Sequence, residues 1–312
     1  MLTIIIYGCD GSIWPVHGDG AGTEGVWLGK DQVKGLFSAP VRTAWKSRAR
    51  QSGGQMKGKW NEWRDLSLGF HIVAARVPGG DQEDIMSRFR KAFDYQEDPW
   101  DHDAKLARIE VISDISTRSL DVQLYEQRDF DPGIDPLVSN HGNPVFPLRA
   151  GQPFFYEPDL IKSWSTAGTS GSGTVEVSNP TDQIMNQKWI VTRGDWVLPD
   201  ISWEGPHGAR VPGVSKLTGR DDSARAIIMP TIGALQGGGV VELDPMADLM
   251  VRDAHDTNLL GQMPTPGIFF EYAIPPGTPP TPLPVSVTNA PTGGAMVQLV
   301  QPRRWSEPIG GQ

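Results

Sequence analysis

The side chains best suited to chemistry are two short runs of imidazole and carboxylate. His102 stands between Asp101 and Asp103, and Asp253, His255 and Asp256 fall together in VRDAHDTN. Such groups suit a hard or borderline cation. Neighbours on an extended chain point to opposite faces, however, so neither run alone brings three ligands together. Both read as solvated loop residues or caps, and no metal or other cofactor is expected. Glu204, Glu242 and Glu271 are scattered, with no two identifiable as an acid–base pair at glycosidase separation. AGTSGSGT has its serines at the wrong offsets for a nucleophile elbow. GDGAGTEG lacks the Lys-Ser/Thr of a phosphate loop and no helical pattern follows it. Trp164, Trp189, Trp196 and Trp203 could stack on a sugar ring if exposed on a β-sandwich. Trp189 and Trp196 lie within alternating segments and read as core, which leaves Trp164 and Trp203 as the alternative glycan contacts. No catalytic residue emerges, and an enzyme is not expected.

The elements that would position these groups are strands. In WRDLSLGFHIVAARV, Leu66, Leu68, Phe70 and Ile72 alternate with Ser67, Gly69 and His71, the period of a strand with one buried face. A helix is predicted over about 81–94: Asp81 caps it, and Ile85, Met86, Phe89, Ala92 and Phe93 recur at helical spacing. LARIEVIS and RSLDVQLYEQ alternate again and form a hairpin across Asp114 to Thr117. LTIIIYG reads as the first strand.

With 312 residues, about two domains are expected, each able to bury its own core. A single cysteine, Cys9, allows no intrachain disulfide, so folding does not require an oxidising compartment. No basic leader with a cleavage site and no long apolar run is found, so neither secretion by signal peptide nor membrane insertion is expected. The net charge of −9 argues against specific nucleic-acid binding and for protein partners. The 36 glycines and 27 prolines punctuate short apolar segments, as in an all-β chain.

Along the chain, KSRARQSGGQMKGK (46–59) is a basic glycine-containing segment without apolar period, predicted to be a mobile loop. The first domain runs over 1–135. The proline-rich 136–147 is the expected linker, 148–300 a β-sandwich, and 301–312 a C-terminal tail. Sandwich strands are read in FFYEPDLIKSWS, TVEVS, KWIVTR, DWVLPDISW, GGGVVELDP, FFEYAIPP, TPLPVSVTN and AMVQLVQPRRW. PPGTPPTPLP is read as a connector that cannot pair in a central strand. Beyond one possible turn at Pro245 to Arg252, no second helix is predicted. Arg303, Arg304 and Trp305 are of the types enriched at interface hot spots and are candidate contact residues.

The order WRDLSLGF, DQEDIMSRFRKAFD, LARIEVISDISTRSLDVQLYEQRDFDPG resembles the N-terminal domain of distal tail proteins of long-tailed phages. VELDPMADLMVRDAHDTNLLGQM and FFEYAIPPGTPPTPLPVSVTNAPTGGAMVQLVQPRRWSEPIGG resemble the closing strands of the C-terminal β-sandwich in tail proteins of actinobacterial phages. The likeness covers residues 55–160 and 237–312. It implies a mainly β protein: an N-terminal β-sandwich or split barrel with one helix, followed by a galectin-like β-sandwich. It implies a virion component at the tail tip or baseplate, made and assembled in the host bacterial cytoplasm. Six copies would form a ring joining the tail tube to the hub. The implied partners are the chain itself as a homohexamer, the major tail tube protein, the tail-tip hub or tail-associated protein, and the tape measure protein as a further candidate. The subunit contacts are then expected at Trp60, Trp63, Arg64, Asp65, Tyr125 and Glu126, with the strand Leu66 to Val77, the hairpin Ile109 to Glu126 and the basic segment Arg48 to Lys59 around them. A carbohydrate-binding adhesion module is the alternative. The Gly-rich N-terminal region and the extended C-terminus depart from the family pattern.

Overall fold

The structure, a computed structural model, describes residues 1–50, 52–95, 104–206, 210–216, 218–265 and 267–311. The run Asp101, His102, Asp103 lies outside the described residues. Two compact units divide the chain: Met1–Glu157 with Trp305–Gly311, and Pro158–Arg304.

In the first unit the chain forms β1 (Thr3–Tyr7), β2 (Ile13–His17), β3 (Val26–Lys34), β4 (Arg42–Lys46), β5 (Gln55–Trp60), β6 (Arg64–Ile72), α1 (Gln82–Lys91), β7 (Ala107–Ile112), β8 (Thr117–Leu124), α2 (Pro136–Ser139) and β9 (Val145–Ala150). The antiparallel ladder runs β2-β1-β7-β8-β9-β6-β3. Thr117 to Val122 of β8 pair with β7, whereas Gln123 and Leu124 pair with β9, and this division lets the ladder curl into a split barrel with its end strands β2 and β3 each paired on one side. Alternation then sends Ile4, Ile6, Leu66, Leu68, Phe70, Ile109, Val111 and Phe146 into one core.

Helix α1 is where the sequence places it. The Asp81 carboxylate accepts from the Asp84 N–H at 2.9 Å, and Arg88, Arg90 and Lys91 stand in the last turn where the helix dipole favours cations. Its buried stripe brings the Phe89 ring to 4.8 Å from Phe70, 5.1 Å from Trp14 and 5.4 Å from Phe146.

Several expectations differ from what forms. Residues 55–59 of the expected loop lie in strand β5, paired with β4 from Arg42↔Trp60 to Lys46↔Gln55. Both faces of this ribbon are largely exposed, so no apolar alternation marks it in the sequence. The expected linker contains α2, capped by Asp135, and the start of β9. In β9, Phe146, Leu148 and Ala150 are buried, and residues 136–157 belong to the first unit despite their prolines. Residues 301–305 are no tail, because β20 (Ala295–Trp305) continues through them.

The second unit takes in the rest of β10 (Phe155–Thr166), followed by β11 (Gly171–Asn179), β12 (Lys188–Val191), β13 (Asp195–Pro199), β14 (Trp203–Glu204), β15 (Val211–Pro212), β16 (Ala226–Ile228), β17 (Gly239–Glu242), β18 (Val251–Asp253), β19 (Thr278–Thr288) and most of β20. Strands β18-β17-β12-β20-β10 make one layer and β11-β19-β13-β16 the other. Trp189, Val241 and Val297 from the first layer share a core with Val177, Trp196 and Leu283 from the second, which makes the unit a β-sandwich.

PPTPLP is not a connector, since it lies in β19, with Pro282 opposite Glu176 and Pro284 opposite Thr174 of β11. Residues two apart direct their backbone toward the same edge, and the ladder to β11 continues through both. The prolines therefore remove donors from the other edge, which β13 meets only at Ser286 to Thr288. FFEYAIPP forms no strand. It is held instead by the buried Asp200 carboxylate, which accepts from the Glu271 and Tyr272 N–H groups at 2.9 Å. No helix among the described residues is long and apolar enough to cross a membrane.

Candidate assembly surface

The groups that could do chemistry are engaged in structure. Asp253 accepts from the N–H groups of His255 (2.9 Å) and Thr257 (2.8 Å), and Asp256 pairs with Arg252 at 3.0 Å. Among the described residues no cluster of three or more His, Cys, Asp or Glu is placed to hold a metal. Glu242 pairs with Lys188 and Arg252; burial pushes its carboxyl up, but those hydrogen bonds outweigh it and leave it below the usual range. Hydrogen bonds from Arg225 and Arg220 hold Glu271 below its usual range as well. Trp203 is buried in the second core and is corrected from a glycan contact to a packing residue. Trp164 packs edge-on against Trp196, ring centres 6.3 Å apart.

The first unit presents a different kind of surface. Asp65 of β6, Tyr125 beyond β8 and Trp63 before β6 converge on Arg149 of β9. The Arg149 guanidinium donates to both Asp65 oxygens at 2.6 and 3.0 Å and lies 4.2 Å from the Tyr125 ring centre and 4.9 Å from that of Trp63. Register explains the meeting: Asp65 pairs with Arg149, and Arg149 pairs with Gln123. Trp63 is 52% exposed, so an arginine stacked between aromatics faces outward. Such residues dominate interface energetics when a partner excludes water from them. Nearby in sequence, Arg42 lies over the Trp60 ring at 5.7 Å and pairs with Glu62 at 2.8 Å. Glu126 is exposed.

Three expected contact residues are not on this surface. Strand alternation turns Arg64 inward, where it donates to the carbonyls of Leu36 (2.9 Å) and Ser306 (2.6 Å), and burial lowers its pKa to about 10. Arg303 is buried and donates to the Ser178 carbonyl at 2.7 Å. Trp305 is buried beneath Arg118, whose guanidinium carbon lies 3.8 Å from the ring centre. Arg304 is partly exposed. Sequence reading missed Arg149, although the alternation of VFPLRA marks it as outward-facing. It also missed Trp45 and Met56, which are opposite one another in the β4–β5 ribbon and hence on one face.

Two further features border α2. A groove of about 500 Å³ between α1 and α2 is lined by Met86, Tyr95, Phe130, Leu137, Pro144 and Phe146, among others. Beside it, His71 Nδ1 and His141 Nε2 are 3.1 Å apart with their rings stacked. Burial and the proximity of His141 lower the His71 pKa. The unfolded chain therefore binds the His71 proton more readily, so stability contributed by the neutral pair is present above the unfolded value of about 6.5 and is lost as pH falls toward the folded value. The midpoint of thermal unfolding is expected to drop between pH 7 and 5.5 by less in His141→Ala than in the parent chain. Equal drops would show the pair to be inert.

No family model matches the sequence. In fold the chain is similar to SPP1 Dit, from a phage infecting Gram-positive bacteria: over 97% of this chain and 99% of the other, it superposes on that crystal structure with TM-score 0.51 and 12% identity. A chain of the phage P2 baseplate matches over 97% and 98% with TM-score 0.49 and 11% identity. Among curated proteins, Minor tail protein Gp27 of Mycobacterium phage D29 is 21% identical across 91% of this chain and 92% of its own length. The resemblance read over residues 55–160 and 237–312 is thus matched in fold by SPP1 Dit and in sequence, along most of the chain, by the mycobacteriophage tail protein.

Proposed function

We propose that this chain is a structural component of a phage tail tip, a distal tail protein and not an enzyme. The observation that carries the reading is the Dit fold shared over nearly the entire chain, supported by a mycobacteriophage tail protein as curated relative. Six first units closing a ring that continues the tail tube would give the protein its role, with a galectin-like sandwich as the second unit of each chain. The tube protein, the hub or tail-associated protein and the tape measure protein would be its neighbours. The outward-facing Arg149 stack suits a ring contact, since a neighbour's surface would desolvate it. A repeated head-to-tail contact closes when its rotation divides the circle. The sandwich is less suited to edge pairing, because Pro282 and Pro284 deplete the donors of β19. The sugar-binding alternative loses support from the burial of Trp203 and from the packing of Trp164 against Trp196. Antibodies against the purified chain should label the distal end of the tail on intact virions of the phage encoding it. Label on the capsid or along the whole tube would contradict the assignment.

A further inference from the structure

We infer that the β4–β5 ribbon is a docking arm that seats its Trp45 face in the groove between α1 and α2 of a second copy of this chain. The inference rests on the ring reading and names the contact that would close it. Three observations converge. First, among the described residues the ribbon's strands pair only with each other, and a lone two-stranded hairpin is marginal in water. It nonetheless holds Trp45 (64% exposed) and Met56 on one face, an apolar cost that a partner would relieve. Second, charge is segregated. Residues 42–60 carry six bases, Arg42, Lys46, Arg48, Arg50, Lys57 and Lys59, and no acid, so the rest of the chain bears −15 against the total of −9. A second copy is therefore an attractive surface for the arm. Third, the groove offers what the arm lacks. Its 500 Å³ is apolar through Met86, Leu137 and Phe146 and is large enough for an indole. The segment from Glu126 to Asp135 beside it carries four carboxylates against Arg128 alone, and Glu83 stands on the α1 wall. Arg90 and Arg128 also line the groove; Arg128 lies 5.8 Å from the Phe146 ring centre. The pairing expected is Trp45 and Met56 against the apolar floor, with the arm's lysines and arginines facing Asp129, Asp131 and Asp135.

The test uses the full chain with its single cysteine replaced, Cys9→Ser, and carrying Thr43→Cys beside Trp45 with Val138→Cys beside Leu137, so that the contact residues themselves are kept. Both sites are exposed, so the fold should survive. A short bismaleimide should produce a ladder of covalently linked chains, while either single-cysteine chain yields at most dimers. The same sample is imaged for rings. Rings without a ladder would overturn the docking inference and leave the ring reading standing. Absence of rings and ladder together would overturn both. In addition, Trp45→Ala should weaken self-association about 30-fold while leaving the unfolding midpoint unchanged. Unchanged self-association would count against the arm.

Discussion

Deleting Trp305 to Gln312 is expected to unfold the first unit under conditions where the full chain is folded. Trp305 is 3% exposed, and losing a buried aromatic side chain costs about 3–5 kcal/mol. The deletion also strips acceptors from two desolvated guanidinium groups. Arg118, with 0% exposure, loses the indole face and the Glu307 carbonyl that it reaches at 2.9 Å, keeping only Glu157 at 3.1 Å. Arg64 loses the Ser306 carbonyl and keeps that of Leu36 and the face of Phe155. Leaving a buried charge short of partners costs about 3–5 kcal/mol. These terms share the same residues and will not add fully. Either alone is a large share of the roughly 5–15 kcal/mol that holds a domain folded. Trp305→Ala, which keeps the backbone acceptors, should show the first part alone. Thermal unfolding followed by circular dichroism would report both, and a truncated chain melting within a few degrees of the parent would refute the argument.

The second large effect is expected at Phe89. Its side chain is fully buried and its ring meets those of Trp14, Phe70, Phe93 and Phe146 edge-on or nearly so. Phe89→Ala removes the apolar contact and opens a cavity among rigid rings that cannot close over it, for a loss of about 3–5 kcal/mol. The cost falls where α1 is joined to the barrel, so the wall of the groove described above should loosen as well. Urea titration should show a lower midpoint with an unchanged slope. A loss below about 1 kcal/mol would mean that the cluster repacks.

Much of this fold is legible in the sequence because burial leaves a period. Helix α1 shows its cap at Asp81 and its stripe at Ile85 and Phe89, and the barrel strands β6, β7 and β8 alternate cleanly. The β4–β5 ribbon left no such trace, since neither face is buried in its own chain and its residues read as polar and basic. Proline content misled twice for one reason: Pro147 and Pro282 are tolerated in strands where a backbone donor is not required, and composition alone does not say which edge that is. The C-terminal Arg-Arg-Trp misled differently. Arginine and tryptophan are enriched both at interfaces and in buried stacked pairs, and only the fold shows Trp305 roofed by Arg118. At the candidate surface, sequence identified Trp63, Asp65 and Tyr125, and strand register supplied the missing Arg149 that gathers them. Adjacent Arg64 and Asp65 were placed together in the reading, yet the pleat sends them to opposite faces.

The central claim is that this chain assembles as a ring at the tail tip, and the most direct measurement is negative-stain imaging of the purified protein with its mass taken by light scattering. Six-fold rings with the mass of six chains are the predicted result. A monomer that persists as the concentration is raised would contradict it.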